Sequence, residues 1–281
     1  MGSLSNFAEN ELADHIFNAA YTPAATVYLV LCTADPTDAG TGASMSETAN
    51  SNGYVRKAIT FGAAAARQVA NSADVTFDEV ITANWASPIT HWGIVDSATY
   101  GAGNMLAHGS WTTPFSPVVG NQPVAPTGEI VVQFQATAAG AGFTDYTVHN
   151  LLNLMFRNVA FSKPGTYLFL SGTVLDDQDV DEGDFTEVTG TDYARVIVNP
   201  DGGASPAWVA ASGGLVTNAD LIAFPTVGAG GWDELVAVGV IDSSTGAGNV
   251  LAYDSANVVD QTPTENSIVR FPIGNFDITV S

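Results

Sequence analysis

The sequence predicts a mainly β protein made of two tandem, related domains, each a β-sandwich or barrel-like fold with a short N-terminal helix. Residues 93–107 recur as residues 239–252, and both copies keep Asp-Ser, then Gly-Ala-Gly-Asn, then Leu-Ala. In each copy two apolar runs flank a glycine-rich turn, which is typical of a β-hairpin. Since the chain has 281 residues, we predict a first domain at residues 1–135, a linker at 136–142 and a second, diverged domain at 143–281.

The first half begins with a predicted amphipathic helix over residues 5–19. Ser5 or Asn6 can cap this helix, and Phe7, Leu12 and Ile16 lie on one face of it. A long surface loop is predicted after the first strand, because the segment is rich in Asp, Gly, Ser and Thr. Apolar and β-branched runs predict strands at residues 26–33, 54–61, 75–77, 89–95, 105–111 and 129–134, with the loop at 34–53.

The second half repeats this plan. A helix that includes residues 151–156 is predicted after the linker, and a strand at residues 275–280 ends the half. The Tyr-x-Arg pattern of residues 54–56 recurs at residues 193–195. Residues 201–210 are predicted to be an insertion that has no counterpart in the first half.

The charge of the chain excludes two classes of partner. Lys and Arg number 7 against 29 Asp and Glu, so the formal net charge is −22. A protein that binds nucleic acid needs a basic surface, and an anionic membrane repels an acidic chain. Neither nucleic acid nor a membrane is therefore an expected partner. The first residues lack the features of a signal peptide, and Cys32 lies in an apolar run, so we expect synthesis in a cytoplasm and a buried thiol.

One acidic segment has part of the spacing of a cation site. Asp177, Asp179 and Asp181 match the alternating oxygen ligands of a calcium loop. The match then fails, because Glu182 stands where the sharp turn needs glycine and Val188 stands where the bidentate acid belongs. A solvated acidic loop is the simpler interpretation, with calcium as the alternative. No cofactor is predicted.

The sequence predicts no enzyme. The four histidines lack metal-ligand spacing, and the chain contains no nucleophile elbow, phosphate-binding loop or zinc-protease helix. The residues that we instead single out belong to two groups. Candidate partner contacts are Phe7, Asp35, Asp38, Tyr100 and Trp208, and the repeated turns contain Asp96, Gly101, Gly103 and Asn104 in the first half and Asp242, Gly246, Gly248 and Asn249 in the second.

Several segments of the first half together resemble small bacteriophage virion proteins, whose members are usually labelled tail-fibre-like. The resemblance rests on residues 4–15, 21–42, 53–56, 59–61, 75–77 and 90–96, and includes the run Asp-Pro-Thr-Asp-Ala-Gly-Thr-Gly at residues 35–42. The second half lacks that run and keeps mainly the hairpin and Tyr-x-Arg. The resemblance implies a non-enzymatic structural protein that is made in the host cytoplasm and assembled on the phage particle.

Two positions in the virion are open at this stage. Our main hypothesis is a capsid decoration or cement protein that binds the outer head surface and stabilises adjacent capsomers. Its partners are then the major capsid protein and neighbouring copies of itself, with a homotrimer suggested by analogy. We prefer this position because the chain lacks the long repeats and heptads of a fibre shaft. The alternative is a tail-fibre or other tail-associated protein that binds tail proteins, or a receptor or carbohydrate such as a host surface glycan.

Overall fold

The computed structural model describes residues 2–86, 88–135, 141–175, 185–200, 204–255 and 258–280. The protein is mainly β, and its principal sheets curl like half of a barrel. The elements of the first half are β1 (Gly2–Leu4), α1 (Asn6–Phe17), β2 (Val27–Cys32), β3 (Lys57–Ile59), β4 (Gln68–Ala70), β5 (Val75–Thr76), β6 (Ile89–Val95), β7 (Met105–Phe115), β8 (Val124–Ala125) and β9 (Val131–Gln133).

The second half has the same elements in the same order. They are β10 (Ala141–Phe143), α2 (Asp145–Arg157), β11 (Thr166–Ser171), β12 (Val196–Val198), β13 (Leu215–Thr217), β14 (Ile222–Ala223), β15 (Ala237–Ile241), β16 (Val250–Asp254), β17 (Arg270–Phe271) and β18 (Asp277–Thr279). The predicted class, two related β-rich units that each begin with a short helix, is therefore confirmed.

The two main sheets have matching strand orders. In the first half the order is β3-β2-β6-β7-β1-β9-β4, and in the second it is β10-β16-β15-β11-β12. Strands β13 and β18 pair with each other, as their equivalents β4 and β9 do. In the first half, β1 joins these two parts through a parallel contact between Gly2 and Val132. The central strands β2 and β11 are buried along almost their whole length, which explains their continuous apolar sequence.

Both helices begin at a capping hydroxyl. The Ser5 side chain accepts a hydrogen bond from the Ala8 N–H at 3.2 Å, and the Thr144 side chain accepts one from the Thr147 N–H at 3.3 Å. The first helix thus begins as predicted. The second begins at Asp145, earlier than the predicted segment, because Thr144 supplies the cap.

The two halves share one hydrophobic core. A continuous cluster of buried side chains includes residues of α1 and β2 from the first half and of α2 and β11 from the second. At the junction, the Phe17 ring stacks on Phe143 at 5.8 Å, and Phe143 contacts Phe134 edge-on at 6.1 Å. The last two residues of the predicted linker, Ala141 and Gly142, lie in β10 and pair with β16. The partner strand therefore extends the second sheet over these two residues.

Several strands are missing from the sequence prediction. Strands β1, β4, β8 and β10 have only two or three residues each, too few to show an alternating pattern. Conversely, the predicted strand at residues 54–61 pairs regularly only over Lys57–Ile59. The length of each of these strands is the number of residues that pair with the neighbouring strand, and the local sequence does not show that number.

Candidate functional site: the repeated hairpins and their ion-pair clusters

The repeated sequence forms the same closed turn in both halves. In the first, the Asp96 carboxylate accepts the backbone N–H of Asn104 at 2.7 Å and its side-chain amide at 2.8 Å. In the second, Asp242 accepts the same two groups of Asn249, both at 2.7 Å. Asp and Asn therefore close the base of each glycine-rich turn with a pair of charge-assisted hydrogen bonds.

The glycines between these residues have two different functions. Gly101, Gly103 and Gly246 have φ values of 71°, 85° and 62°, a region that favours glycine. Crowding is the second requirement. A Cβ atom on Gly103 would lie 2.4 Å from Asp96 Oδ1, and one on Gly248 would lie 2.8 Å from Asp242 Oδ1. Glycine thus allows the turn to close tightly over its aspartate.

A buried cluster of Tyr, Glu and Arg supports the first hairpin. The Arg56 guanidinium contacts the Glu47 carboxylate through Nη2 at 2.7 Å and through Nε at 3.0 Å. The Tyr54 hydroxyl donates to the same carboxylate at 2.9 Å. Arg56 also donates to the backbone carbonyls of Ser97 and Ala102 at 2.9 and 2.7 Å. The cluster therefore fixes the turn to the sheet beneath it.

The second half contains the equivalent cluster. Arg195 contacts Glu187 at 2.8 and 3.0 Å, and Tyr193 donates to Glu187 at 2.9 Å. Arg195 also donates to the Ser243 carbonyl at 2.9 Å. Burial, as the largest cause, raises the pKa of both tyrosines well above the usual value, so each phenol stays protonated and donates to its carboxylate.

The two clusters differ in their exposure. The Glu47 side chain is 3% exposed, whereas that of Glu187 is 25% exposed. A groove of about 360 Å³ lies over the second cluster, and its lining includes Glu187, Thr189 and Thr245. In the first half, Gly42 covers the corresponding position: its carbonyl accepts from Arg56 at 2.8 Å and its N–H donates to Gly103 at 3.0 Å.

The glutamates were missed by the sequence prediction. We singled out Tyr-x-Arg in both halves, and the acid that joins the two side chains lies seven residues before the tyrosine in one half and six in the other. An acid at nearly the same distance before both Tyr-x-Arg motifs is the signal that identifies the cluster. The variable spacing hides it, because a loop separates the acid from the motif.

The predicted contact residues Asp35 and Asp38 lie together in the first half. Both carboxylates face His108: Asp35 Oδ1 lies 3.2 Å from Nδ1, and Asp38 Oδ1 lies 2.8 Å from Nε2. The Asp38 carbonyl accepts the Asn6 N–H at 2.9 Å at the start of α1. The two aspartate side chains remain more than half exposed. They therefore attach their loop to the sheet and helix and still present charge to solvent.

The other contact candidates have different environments. Tyr100 is 42% exposed at the tip of the first hairpin. Phe7 is partly buried against the core. Trp208 is only 3% exposed, and its ring lies 4.8 Å from Phe17 and 5.7 Å from Phe276. The indole is thus a core side chain, and it has almost no surface to offer a partner in this conformation.

Trp208 also has an equivalent in the first half. It forms an isolated bridge with Asn218, as Phe61 does with Asn71. Each ring packs on the last aromatic residue of the other half's helix, Phe17 or Phe156. The prediction that residues 201–210 lack a first-half counterpart is therefore wrong at Trp208, which begins the shared segment that follows the insertion.

The predicted calcium candidates Asp177, Asp179 and Asp181 lie outside the described residues. Within the part of the chain that the structure describes, no group of three or more His, Cys, Asp or Glu side chains is placed to hold a metal ion.

Burial raises the pKa of the Cys32 thiol far above its usual value. No helix over the described ranges has the length and apolar character needed to cross a membrane.

The comparison with known families identifies a phage virion structural protein, here as a tandem duplication. The family model described as "Podophage GP4 fiber I protein gp80" matches residues 3–133 and 142–279. The chain belongs to this family. The two matched segments coincide with the two structural repeats, and the protein is thus virion-associated. Among curated proteins, none is similar to the chain.

Proposed function

We propose that the protein is a non-enzymatic structural component of a phage fibre. The observation that supports this most directly is the match of both repeats to a family described as a podophage fibre protein. This family description favours the tail-associated alternative over our main sequence-based hypothesis of a capsid decoration protein. A fibre component needs a stable body with exposed contact sites. The buried ion pairs and the exposed residues of the first half further support this function.

The ionisable groups of the repeats support a structural role. The buried acid beneath the first hairpin, Glu47, contacts both Arg56 and Tyr54. The histidine with two acidic neighbours, His108, holds the loop of Asp35 and Asp38 to the sheet. A general acid or base needs access to a substrate, and these groups instead contact each other. We therefore expect purified protein to hydrolyse neither peptidoglycan nor polysaccharide.

The exposed contact residues lie beside the first hairpin. Tyr100 presents an aromatic ring, and Asp35 and Asp38 present carboxylates. Aromatic side chains are enriched at protein interfaces, and the rim of an interface is polar. We propose that this surface contacts tail proteins or neighbouring copies of the chain, with a host surface glycan as the alternative ligand. The major capsid protein is the partner only if the protein lies on the head.

Quantitative mass spectrometry of purified virions tests the position. We expect a copy number in the range of the tail proteins, far below that of the major capsid protein. Immunogold labelling of the same virions should mark the tail fibres. Near parity with the capsid protein, together with labelling over the head, would contradict the fibre and restore the decoration hypothesis.

A single exposed residue tests the contact surface. Tyr100→Ala should lower the amount of protein incorporated into virions by removing an exposed aromatic contact, while leaving the melting temperature almost unchanged. Val119→Ala is the matched control, because Val119 is 51% exposed but is not one of the proposed contacts. Equal incorporation of both variants would show that the tip of the first hairpin is not a contact site.

A further inference from the structure

The helix of the first half docks on a turn of the second half. In α1, the Asp14 side chain accepts the Ala211 N–H at 2.8 Å, and the Asn10 side chain accepts the Gly214 N–H at 2.9 Å. These two acceptors are four residues apart and therefore lie on the same face of the helix. Two backbone donors of the turn before β13 are thus satisfied by the other half of the chain.

The helix of the second half makes the same contacts in reverse. In α2, Asn153 accepts the Ala64 N–H at 3.0 Å, and His149 accepts the Arg67 N–H at 3.2 Å. The acceptors again stand four residues apart, and the donors lie in the turn before β4. Each repeat therefore contains both a docking helix and a docking turn, and each uses them on the other repeat.

An aromatic contact completes both docking sites. Phe17 of α1 lies 4.8 Å from Trp208, and Phe156 of α2 lies 5.3 Å from Phe61. Phe17 follows the acceptor Asn10 by the same number of residues as Phe156 follows the acceptor His149. One pattern, two hydrogen-bond acceptors followed by an aromatic residue, is therefore recognised twice.

A buried ion pair makes the two sites different. Arg67 donates to Asp145 Oδ1 at 2.8 Å and to the Phe143 carbonyl at 3.2 Å, and its side chain is 7% exposed. Over the described residues, its Nε and Nη2 atoms have no hydrogen-bond partner, so Asp145 supplies the main compensation for the buried charge. The equivalent turn residue is Gly214, at which a Cβ atom would lie 2.2 Å from the Val280 carbonyl oxygen. The equivalent helix residue is Asn6.

We propose that the two repeats are specific mutual binding partners, which stay associated without the linker, and that Arg67 and Asp145 select pairing of unlike repeats. If the first half docked on another first half, α1 would present Asn6 in place of Asp145, and the acid nearest to Arg67 would be Glu9, whose Oε2 lies 3.4 Å from a Cβ atom on the equivalent Gly214. If the second half docked on another second half, Asp145 would meet Gly214 and no cation. The Arg67–Asp145 ion pair therefore forms only between unlike repeats, and its loss disfavours like pairs. This pairing of the repeats is independent of where the protein lies in the virion.

Cleavage of the folded full chain tests the association. A site for a sequence-specific protease replaces residues 136–140, the folded protein is cut, and native mass spectrometry and size-exclusion chromatography follow the products. We expect the two halves to remain as a complex of one of each. Separation of the halves, their aggregation, or the appearance of like pairs would overturn the proposal.

Substitutions on the cut protein test the specificity. Asp145→Asn gives α2 the residue of α1 and should weaken the association roughly 100-fold, because Arg67 stays buried without its acid. Asn6→Ala, at the equivalent exposed position of α1, is the control and should change it little. The double variant Arg67→Gly with Asp145→Asn should recover part of the loss, because no buried charge remains. If the double variant were as weak as Asp145→Asn or weaker, or if Asp145→Asn were as tight as the unaltered protein, the selecting role would be refuted.

Discussion

At the residue scale, the most consequential groups are the glutamates that join tyrosine and arginine beneath each hairpin. Glu47 is nearly inaccessible to solvent, whereas Glu187 borders an open groove. Both arginines are buried, with side chains 1% and 4% exposed, but Arg195 borders the groove, from which water can take the place of a lost carboxylate. The same chemical cluster should therefore contribute unequally to the stability of the two halves.

Glu47→Gln should lower the free energy of unfolding by about 3 kcal/mol, since Arg56 remains buried without its counter-charge. Glu187→Gln is the matched variant and should cost about 1–2 kcal/mol, because water reaches its carboxylate. Chemical denaturation followed by tryptophan fluorescence measures both. Equal losses would show that the difference in exposure does not decide the strength of the cluster.

Glu9 should make the stability depend on pH. Burial, with a smaller effect of Asp38, raises the pKa of Glu9 from 4.5 to about 7. The folded protein therefore binds this proton more tightly than the unfolded chain does. Its contribution to stability is present below about pH 4.5 and is lost as the pH rises toward about 7.

We expect Glu9→Gln to flatten that part of the pH profile, measured as the melting temperature between pH 4.5 and 8. Glu79→Gln, which removes an exposed acid of the same half, serves as the control and should keep the slope. An unchanged slope in Glu9→Gln would assign the pH dependence to other groups.

At the element scale, the hairpins show which parts of a sequence pattern are structural requirements. The recurrence of Asp-Ser and Gly-Ala-Gly-Asn was sufficient to place both turns, because glycine, aspartate and asparagine each act locally there. The sequence showed only the recurrence of Tyr-x-Arg and did not predict the clusters beneath the turns. Their tyrosine and arginine belong to one short motif, but their glutamate comes from a separate loop that the fold brings back to the sheet.

Two glycines of the first turn distinguish backbone conformation from crowding. Gly101→Ala should lower the unfolding free energy by about 1 kcal/mol, since only its left-handed φ is unfavourable and no atom lies within 4 Å of the added Cβ. Gly103→Ala should cost at least about 1 kcal/mol more, because its Cβ also meets Asp96. Urea denaturation of both variants provides the comparison, and equal costs would rule out the crowding.

At the scale of the whole molecule, the two repeats follow one duplicated plan and share a hydrophobic core. Their helices exchange contacts, and their aromatic residues form a common core. A chain of this kind should not unfold in two independent steps, because neither helix keeps its docking surface when the other half is lost.

Scanning calorimetry should therefore show one transition for the full chain. Phe17→Ala should move that single transition to lower temperature, because the ring packs on Phe143 and Trp208 of the other half. The expected loss in the free energy of unfolding is about 3–5 kcal/mol. A profile with two transitions, of which only one shifted in the variant, would mean that the halves are independent.

The sequence by itself determined the duplication, the mainly β class, the first helix and the repeated turns. Each of these depends on residues that are close together in the chain, so that periodicity, capping and turn chemistry are sufficient to predict them. Only the tertiary structure decided that Trp208 is buried, that Glu47 and Glu187 complete the clusters, and that each helix docks on the other repeat. These features join residues that are far apart in the sequence. Their positions are set by the packing of the whole chain, which a local sequence pattern cannot predict.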